Sequence, residues 1–486
     1  MTRLNPNSRV KFFAGVDRVG VLLYVLLTLV GLVAIFSASW DGNHDTIYSF
    51  SNSYMKQAMW LGIAWVVALV VLLLDGSVWH KTAYFLYGAG IGVLCITLLF
   101  GREVNGAKAW FDFGGVRVQP MEFVKIAIAL AVARVMSGFS FSIAQMSNVV
   151  KVALVLMLPI GIAVLQNDTG SGIVLGSFLF MLYREGLNKW ICIPILFIAM
   201  LFILSFILSS TTLLVALIVV FTLSEALNDR RWLDCIRYVA GLALVSLLLL
   251  LVANIVRPGS LDFYWALLIS TMLSLPVVLW YAYRQRLRNI YLSVAIFAAS
   301  IMLLPTSDAL FNALRPHQQN RIMSFLGVSS DFNIDFNVNQ SKIAIGSGGF
   351  TGKGFLKGSQ IRYNFVPEKH TDFIFCTIGE EWGFVGAILV LALIAALIYR
   401  LMWLGDRQSE AFGRVYCYCV ASMLLFHTLV NVGMTIGVIP VMGIPLPLIS
   451  YGGSSLVAFT VMIFIAFALD ASSNHDDMSR SGSRWR

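Results

Sequence analysis

Apolar runs of about 18 to 25 residues, enough to carry a helix across the ~30 Å hydrocarbon layer of a bilayer, recur from Val19 to Ala468. Lipid offers nothing to satisfy loose backbone groups, so only helices and closed barrels span it, and continuous runs of this length predict helices. Charge agrees, because 12% of the 486 residues are Asp, Glu, Lys or Arg, against about a quarter in an average soluble domain. The chain therefore reads as an all-α polytopic membrane protein. About fourteen spans are expected, beginning near residues 18, 57, 82, 120, 149, 169, 189, 211, 236, 262, 289, 373, 414 and 452. The first run follows Arg3, Arg9, Lys11 and Arg18 and lacks a cleavage site, so it reads as a retained span. Short loops holding Arg230, Arg231, Arg284, Arg286, Arg288, Arg400, Arg407 and Arg414, with Arg480, Arg484 and Arg486 in the tail, predict cytoplasmic N- and C-termini. The net charge of +9 follows the membrane in this way and signals no nucleic acid. The six cysteines are scattered without metal or disulfide spacing.

One connection, 312–371, is roughly 60 residues long, a length usually reserved for functional or disordered segments, and the span count places it outside. It holds a polar cluster (His317, Gln318, Gln319, Asn320, Arg321), an apolar-alternating piece from Ser341 to Ile345, and a glycine-rich turn from Gly346 to Gly354. That turn lacks Walker spacing and a strand–turn–helix context, so tight turns are favoured over a phosphate nest. The loop ends in Val366-Pro367-Glu368-Lys369-His370-Thr371-Asp372-Phe373. Pro367 cannot continue a helix, and Thr371 or Asp372 is expected to cap the one that follows. A carboxylate at the lip of a span is costly to desolvate and marks function; on the residues alone, cap and catalytic acid weigh evenly.

Other polar groups fall inside apolar runs. Glu122 and Lys125 lie three apart on one helix face and should turn inward and pair, either as a structural ion pair or as part of a cationic groove. One of Glu380 and Glu381 is expected to face the interior. His370 and His427 read as hydrogen-bonding residues, and Trp110 as an interfacial anchor or a sugar platform. Pro440, Pro445 and Pro447 with Gly452-Gly453 forbid a continuous span. That segment should be re-entrant or surface-lying and buried against protein. Broken helices also line transporter sites.

Four segments, in this order, resemble one family: Val118-Gln119-Pro120-Met121-Glu122-Phe123-Val124-Lys125, Gln166-Asn167-Asp168-Thr169-Gly170-Ser171, Pro367 to Phe373, and Gly443-Ile444-Pro445-Leu446-Pro447-Leu448-Ile449-Ser450-Tyr451-Gly452-Gly453-Ser454. They look like the SEDS proteins (shape, elongation, division, sporulation), membrane peptidoglycan glycosyltransferases. Gly352-Lys353-Gly354-Phe355 and Val438 to Gly443 look more like the elongation branch, RodA, than the division branch, FtsW. The resemblance covers roughly 10–185 and 290–470. It implies one integral membrane domain over 1–486, a ten-helix core plus four inserted helices near 189–290, and an extracytoplasmic catalytic loop at 312–371.

The resemblance further implies polymerisation of lipid II into glycan strands at the outer face of the bacterial cytoplasmic membrane, releasing undecaprenyl pyrophosphate. Asp372 matches the family's catalytic acid and would be the base. Arg321 with Gln318 matches a loop motif and would contact phosphate or sugar. Lys125, Glu122, Trp110 and His370 complete the expected substrate site. No cofactor is implied, a divalent ion is left open, and a class B penicillin-binding transpeptidase is the implied partner. The alternatives are a lipid II flippase or other transporter, the division member of the same family, and a structural scaffold. Three departures stand out: the inserted helices, Asn167 where the family has proline, and Ala109 where it has arginine before Trp110, with Lys108 one residue away.

Overall fold

A helix begins close to every expected span start. The computed structural model describes residues 15–40, 52–104, 106–114, 116–229, 231–257, 259, 261–287, 290–313, 318–319, 323 and 332–483. The chain divides into two compact units, Met1–Asn188 with Gly327–Arg486, and Lys189–Leu326.

The first unit runs α1 (Arg18–Ser39), α2 (Ser53–Leu73), α3 (Gly76–Phe100), a three-stranded sheet, α4 (Pro120–Met136), α5 (Met146–Leu165), α6 (Thr169–Leu175) and α7 (Phe178–Arg184). The second unit holds α8 (Lys189–Ile207), α9 (Ser210–Asp229), α10 (Trp232–Val256), α11 (Phe263–Arg284) and α12 (Ile290–Ala313). The chain then returns to the first unit with α13 (Phe332–Ser347), α14 (Ser359–Arg362), α15 (Ile374–Arg407), α16 (Ala411–Thr435) and α17 (Gly453–Ser483). Among the described residues, ten helices are long and apolar enough to cross a membrane. The other four expected starts carry α4, of 17 residues, the short α6–α7 pair, and α8 and α12, which hold apolar helical stretches at Lys189–Ile198 and Ile290–Thr306. The protein is a multi-pass helical membrane protein, and the count of fourteen is not established.

Two parts of the chain differ from the sequence-based expectation, a sheet among the helices and a helix inside the long loop. Residues Arg102–Val104 (β1), Ala107–Phe113 (β2) and Val116–Val118 (β3) form an antiparallel sheet in the order β1-β2-β3. Arg102 faces Trp110 and Phe111 faces Val118. The expected loop 312–371 contains α13, so the stretch taken as alternating is helical. Ser341 and Ala344 are buried on one face of α13, three apart, as helical spacing requires.

The second unit, Lys189–Leu326, extends past the 189–290 expected for the added helices and takes in α12. It has its own core, in which Leu214, Leu217 and Phe221 of α9, Leu242 of α10 and Leu267 of α11 pack with Val294, Phe297, Ile301 and Leu304 of α12. Phe221 and Phe297 stack at 4.4 Å between ring centroids. Charge in the 284–288 loop marks where a helix ends, whereas packing decides which bundle owns the next one. Among the described residues the second unit therefore holds five helices, α8 to α12.

In the first unit, α16 and α17 are enclosed by protein, while the outer helices expose large apolar side chains such as Leu22, Phe85 and Leu154. Ion pairs gather at one end: Arg400 with Asp17 at 2.6 Å, Arg414 with Glu185 at 2.9 Å, Arg184 with Asp406 at 2.8 Å, and Arg407 with Asp470. These lie at the C-terminal end of α15, opposite Asp372. With one crossing helix between them, Lys357 and Glu410 should sit on opposite faces of the membrane. Cysteines placed singly at 357 and 410 in a cysteine-free background are expected to label from opposite sides with an impermeant reagent. Labelling from one side would refute this topology.

Candidate active site

Helix α15 is interrupted ten residues into its run by Gly383, at φ 67° and ψ −163°, a conformation open to glycine and strained for other residues. In a regular helix the Phe384 and Val385 amides would donate to the carbonyls of Glu380 and Glu381. Here they donate to Gly349 and Phe350 at 3.0 and 3.1 Å, and the freed Glu380 and Glu381 carbonyls accept from the Lys353 and Gly354 amides at 3.0 and 2.9 Å. The glycine-rich turn is spliced into the helix ladder. A Cβ at Gly352 would lie 2.1 Å from the Glu381 carbonyl oxygen, so the glycines serve close backbone approach.

Glu380 and Glu381 of α15 are both buried, where one was expected to face the interior. The Glu380 carboxylate takes Lys353 Nζ at 2.6 Å and the Gln360 and Ile361 amides at 2.9 and 3.0 Å. Glu381 takes the Ser37 hydroxyl at 2.5 Å. Beneath the loop, Ala344, Ile361, Val366, Phe373 and Cys376 form one small core. Phe373 is thus pinned, and Asp372 beside it is half-buried at the surface.

Phe373, not Thr371 or Asp372, is the N-cap of α15, and no side chain caps it. Thr371 is turned back to Glu368, its hydroxyl donating to the Glu368 carboxylate at 2.8 Å. Asp372 is held through its backbone, whose carbonyl accepts from Asn431 Nδ2 at 2.9 Å. The same amide nitrogen donates to the Ile444 carbonyl at 2.7 Å. Asp372 Oδ2 lies 3.5 Å from where a Cβ on Gly443 would be, and Gly443 has φ +68°. The acid therefore borders the broken segment after α16.

That segment is buried against protein, as expected. Ile444, Leu446, Leu448 and Ile449 are buried, with Ile444 packed on Val174 and Val430. Ser450 Oγ donates to the Thr371 carbonyl at 2.7 Å, and the Tyr451 amide donates to the His370 carbonyl at 2.8 Å. The His370 and Tyr451 rings meet at 5.6 Å between centroids. Burial pushes the His370 imidazole below its ordinary pKa, with the Lys369 ammonium adding to the shift and Glu368 opposing it.

Lys125 and Glu122 turn inward and pair, at 2.8 Å. Lys125 is 1% exposed, so its ammonium is enclosed in this state. Its Nζ also lies 3.2 Å from His427 Nε2 and 5.8 Å from the Phe459 ring centre. An ammonium offers only hydrogens, so Nε2 accepts and the Nδ1–H donates to the Pro445 carbonyl, 3.3 Å away. A relay of Glu122, Lys125 and His427 thus ends on the broken segment. Sequence reasoning treated His427 as an ordinary hydrogen-bonder and missed that it joins two of the matched motifs. Its position four residues before Asn431, on the same face of α16, was the available signal.

The remaining expected residues are more dispersed. Asp168 caps α6 through the Ser171 amide at 3.1 Å and accepts from Gln119 Nε2 at 2.7 Å, joining the first two motifs. Trp110 is half-exposed on β2. The Lys108 ammonium, one residue from the position where the family has arginine, donates to the Leu99 carbonyl at 2.9 Å. Gln318 belongs to the second unit, and Arg321 lies outside the described residues. The site assembled in the first unit is therefore Asp372 and His370 beside the broken segment, with Glu122 and Lys125 supporting that segment from behind.

The family FTSW_RODA_SPOVE, described as a cell cycle protein, matches residues 18–228 and 214–475. The peptidoglycan glycosyltransferase RodA of Treponema pallidum (strain Nichols) is 30% identical, covering 94% of this chain and 97% of that protein. Peptidoglycan glycosyltransferase MrdB of Escherichia coli (strain K12) is 30% identical, covering 93% of each. Probable FtsW proteins match too, for example at 25% identity. Among solved structures, a chain of a peptidoglycan synthase complex superposes with a TM-score of 0.59 at 24% identity, covering 94% of this chain and 97% of that one, which supports the fold.

Two outcomes are expected. Lys125→Met leaves Glu122 as a buried unpaired charge, so it should destabilise the protein by about 3–5 kcal/mol. Adding Glu122→Gln should recover much of that loss, read by thermal unfolding in detergent. His370 gives a pH signature. Its folded-state pKa is depressed, so the unfolded chain binds the proton first as pH falls below the ordinary imidazole value of about 6.5. Stability should therefore decline below that pH, and His370→Gln should flatten the decline.

Proposed function

We propose, from the premise that this chain belongs to the FtsW/RodA/SpoVE family, that it is a peptidoglycan glycosyltransferase polymerising lipid II, with Asp372 as its general base. The observation that carries this reading is the half-buried Asp372 carboxylate. It is fixed through the backbone between the α15 start and Gly443 and is not used as a helix cap. The acceptor sugar's 4-hydroxyl gives its proton to this carboxylate as its oxygen attacks the anomeric carbon of the lipid-linked strand. The bond to undecaprenyl pyrophosphate breaks, and the leaving group keeps that electron pair. Partial desolvation suits an acid to this work, and a positioned base contributes typically 10²–10⁴-fold.

His370 and Trp110 are the proposed sugar contacts. Arg321 with Gln318 is the proposed phosphate contact, because a guanidinium fork matches a phosphate's oxygens. Lys125 and Glu122 act here through the relay to Pro445, shaping the wall of the site. The reading takes no resident cofactor and leaves any divalent ion to arrive with the pyrophosphate. The higher identity to a RodA protein than to the FtsW relative favours elongation over division. The likeness to a chain of a peptidoglycan synthase complex supports a class B penicillin-binding transpeptidase as partner. The proposed location is the bacterial cytoplasmic membrane, with both termini in the cytoplasm and Asp372 on the outer face.

Purified protein, with and without the transpeptidase, should convert lipid II to glycan strands. Asp372→Asn keeps size and polarity and cannot take the proton, so it should lower polymerisation by about 10² or more while leaving thermal stability near wild type. Strand synthesis by Asp372→Asn at the wild-type rate would assign the base to another group. Lipid II movement across vesicles with no strand synthesis in any sample would replace the reading with transport.

A further inference from the structure

We infer that the second unit carries a binding site for an anionic glycerophospholipid. An acyl chain fills a cavity between α9, α10, α11 and the start of α12, and Arg231 and Arg237 at its rim hold the phosphate. The cavity measures about 390 Å³, within the ~300–1,000 Å³ span of small-molecule sites. Its walls are apolar, formed by Phe221, Val277, Val278, Leu287 and Ile290. Its polar groups are concentrated where α10 begins and α11 ends, at Arg231, Asp234, Arg237 and Tyr281. An apolar space with charge at one end matches an amphiphile, and a soluble phosphate would leave the walls unused.

The rim is organised for an anion. The Tyr281 hydroxyl donates to Asp234 Oδ2 at 2.8 Å, and Arg237 reaches Asp234 Oδ1 at 3.4 Å. Asp234 is thereby engaged from two sides. Arg231 makes one long contact, Nη1 to the Tyr281 hydroxyl at 3.4 Å, among the described residues. Most of its donor fork therefore remains for a phosphate diester, which it can hold by two parallel bonds. The Arg237 side chain is 77% exposed and can swing to the same oxyanion.

Charge settles the sign of the ligand. Glu225 and Asp234 offset Arg231 and Arg237 within the lining. Arg284 stacks on the lining Trp280 at 5.4 Å, and Arg286 is exposed in the following turn, which makes the mouth cationic. Trp280 and Tyr281 are residues suited to headgroup depth. The positive-inside count assigns this end to the cytoplasmic leaflet, where anionic lipids attract juxtamembrane arginines.

The test is native mass spectrometry of the full-length chain after delipidation, titrated with phosphatidylglycerol, phosphatidylcholine or inorganic phosphate. Phosphatidylglycerol should be retained at least about tenfold more tightly than phosphatidylcholine, the step expected from losing one or two charge-assisted contacts. Inorganic phosphate should not compete. Arg231→Gln with Arg237→Gln should remove that preference. Val278→Trp, which fills the chain slot and keeps both arginines, should lower retention of both lipids. A double variant that fails to fold leaves Val278→Trp and the lipid comparison to decide. Unchanged retention in folded variants, equal binding of the two lipids, or displacement by inorganic phosphate would each overturn the proposal.

Discussion

The amide of Asn431 is the tie on which the site end of the first unit depends. Its nitrogen serves the carbonyls of Asp372 and Ile444, residues brought together from either side of α16. Asn431 is 0% exposed, and its Oδ1 meets no donor among the described residues. Two carbonyls can be matched only by the NH2 group, which fixes the amide's orientation. Without it, the buried Ile444 carbonyl would lose its partner at a cost of about 1–3 kcal/mol, and the part-buried Asp372 carbonyl would lose its tie as well. The segment after α16 can forgo helical hydrogen bonds inside a membrane protein because Asn431, Ser450 and the Tyr451 amide replace them. Those same bonds hold the backbone of His370, Thr371 and Asp372.

Rigidity at Asp372 has a second source in the exchange at Gly383. The helix gives up two of its own hydrogen bonds and regains them with the glycine-rich turn, so the ladder stays complete while a loop is clamped to it. Glu380 extends the clamp by gathering Lys353, Ser359 and two amides of α14. A catalytic group must be held within about 0.5 Å of its working geometry. Here the chain from Lys353 to Phe373 is anchored at both ends and over its own small core. The stretch 353–373 is thereby clamped as a lip beside the start of α15.

Much of this was legible in the sequence for a plain reason: lipid tolerates few exceptions, so apolar length alone located the helices. The prolines around Pro445 announced a broken span, and Asp372 stood out as an acid at a boundary. Failures came where local signals competed. The sheet was announced by Asn105-Gly106 between short alternating stretches, a hairpin signal that the surrounding helical pattern overshadowed. Helix α13 opens on alternating apolar and polar residues, Phe332-Asn333-Ile334-Asp335-Phe336-Asn337-Val338-Asn339, a period of two that does not announce a helix. The cap expected of Asp372 failed because Phe373 is drawn into the core with Val366 and Cys376, which shifts the helix start one residue on. The pairing of His427 with Lys125 joins residues 302 apart in the chain, and no periodicity encodes a contact of that range.

The two small departures from the family pattern are neighbours in space. Asn167 has φ 59°, which a proline ring held near −65° cannot adopt. The turn before Asp168 must therefore take another path in any relative with proline there. Ala109 is 1% exposed on β2, so an arginine in this backbone would have to bury its guanidinium. The Lys108 amide between them donates to the Gln166 carbonyl at 2.9 Å, coupling strand and turn. Gln166 in turn donates to the Leu94 carbonyl at 2.7 Å. A left-handed turn at 167 and a small residue at 109 are thus two sides of one local packing solution. It keeps Asp168 capping α6 and bonded to Gln119, and it leaves the helix that carries Glu122 and Lys125 anchored as the relay to Pro445 requires.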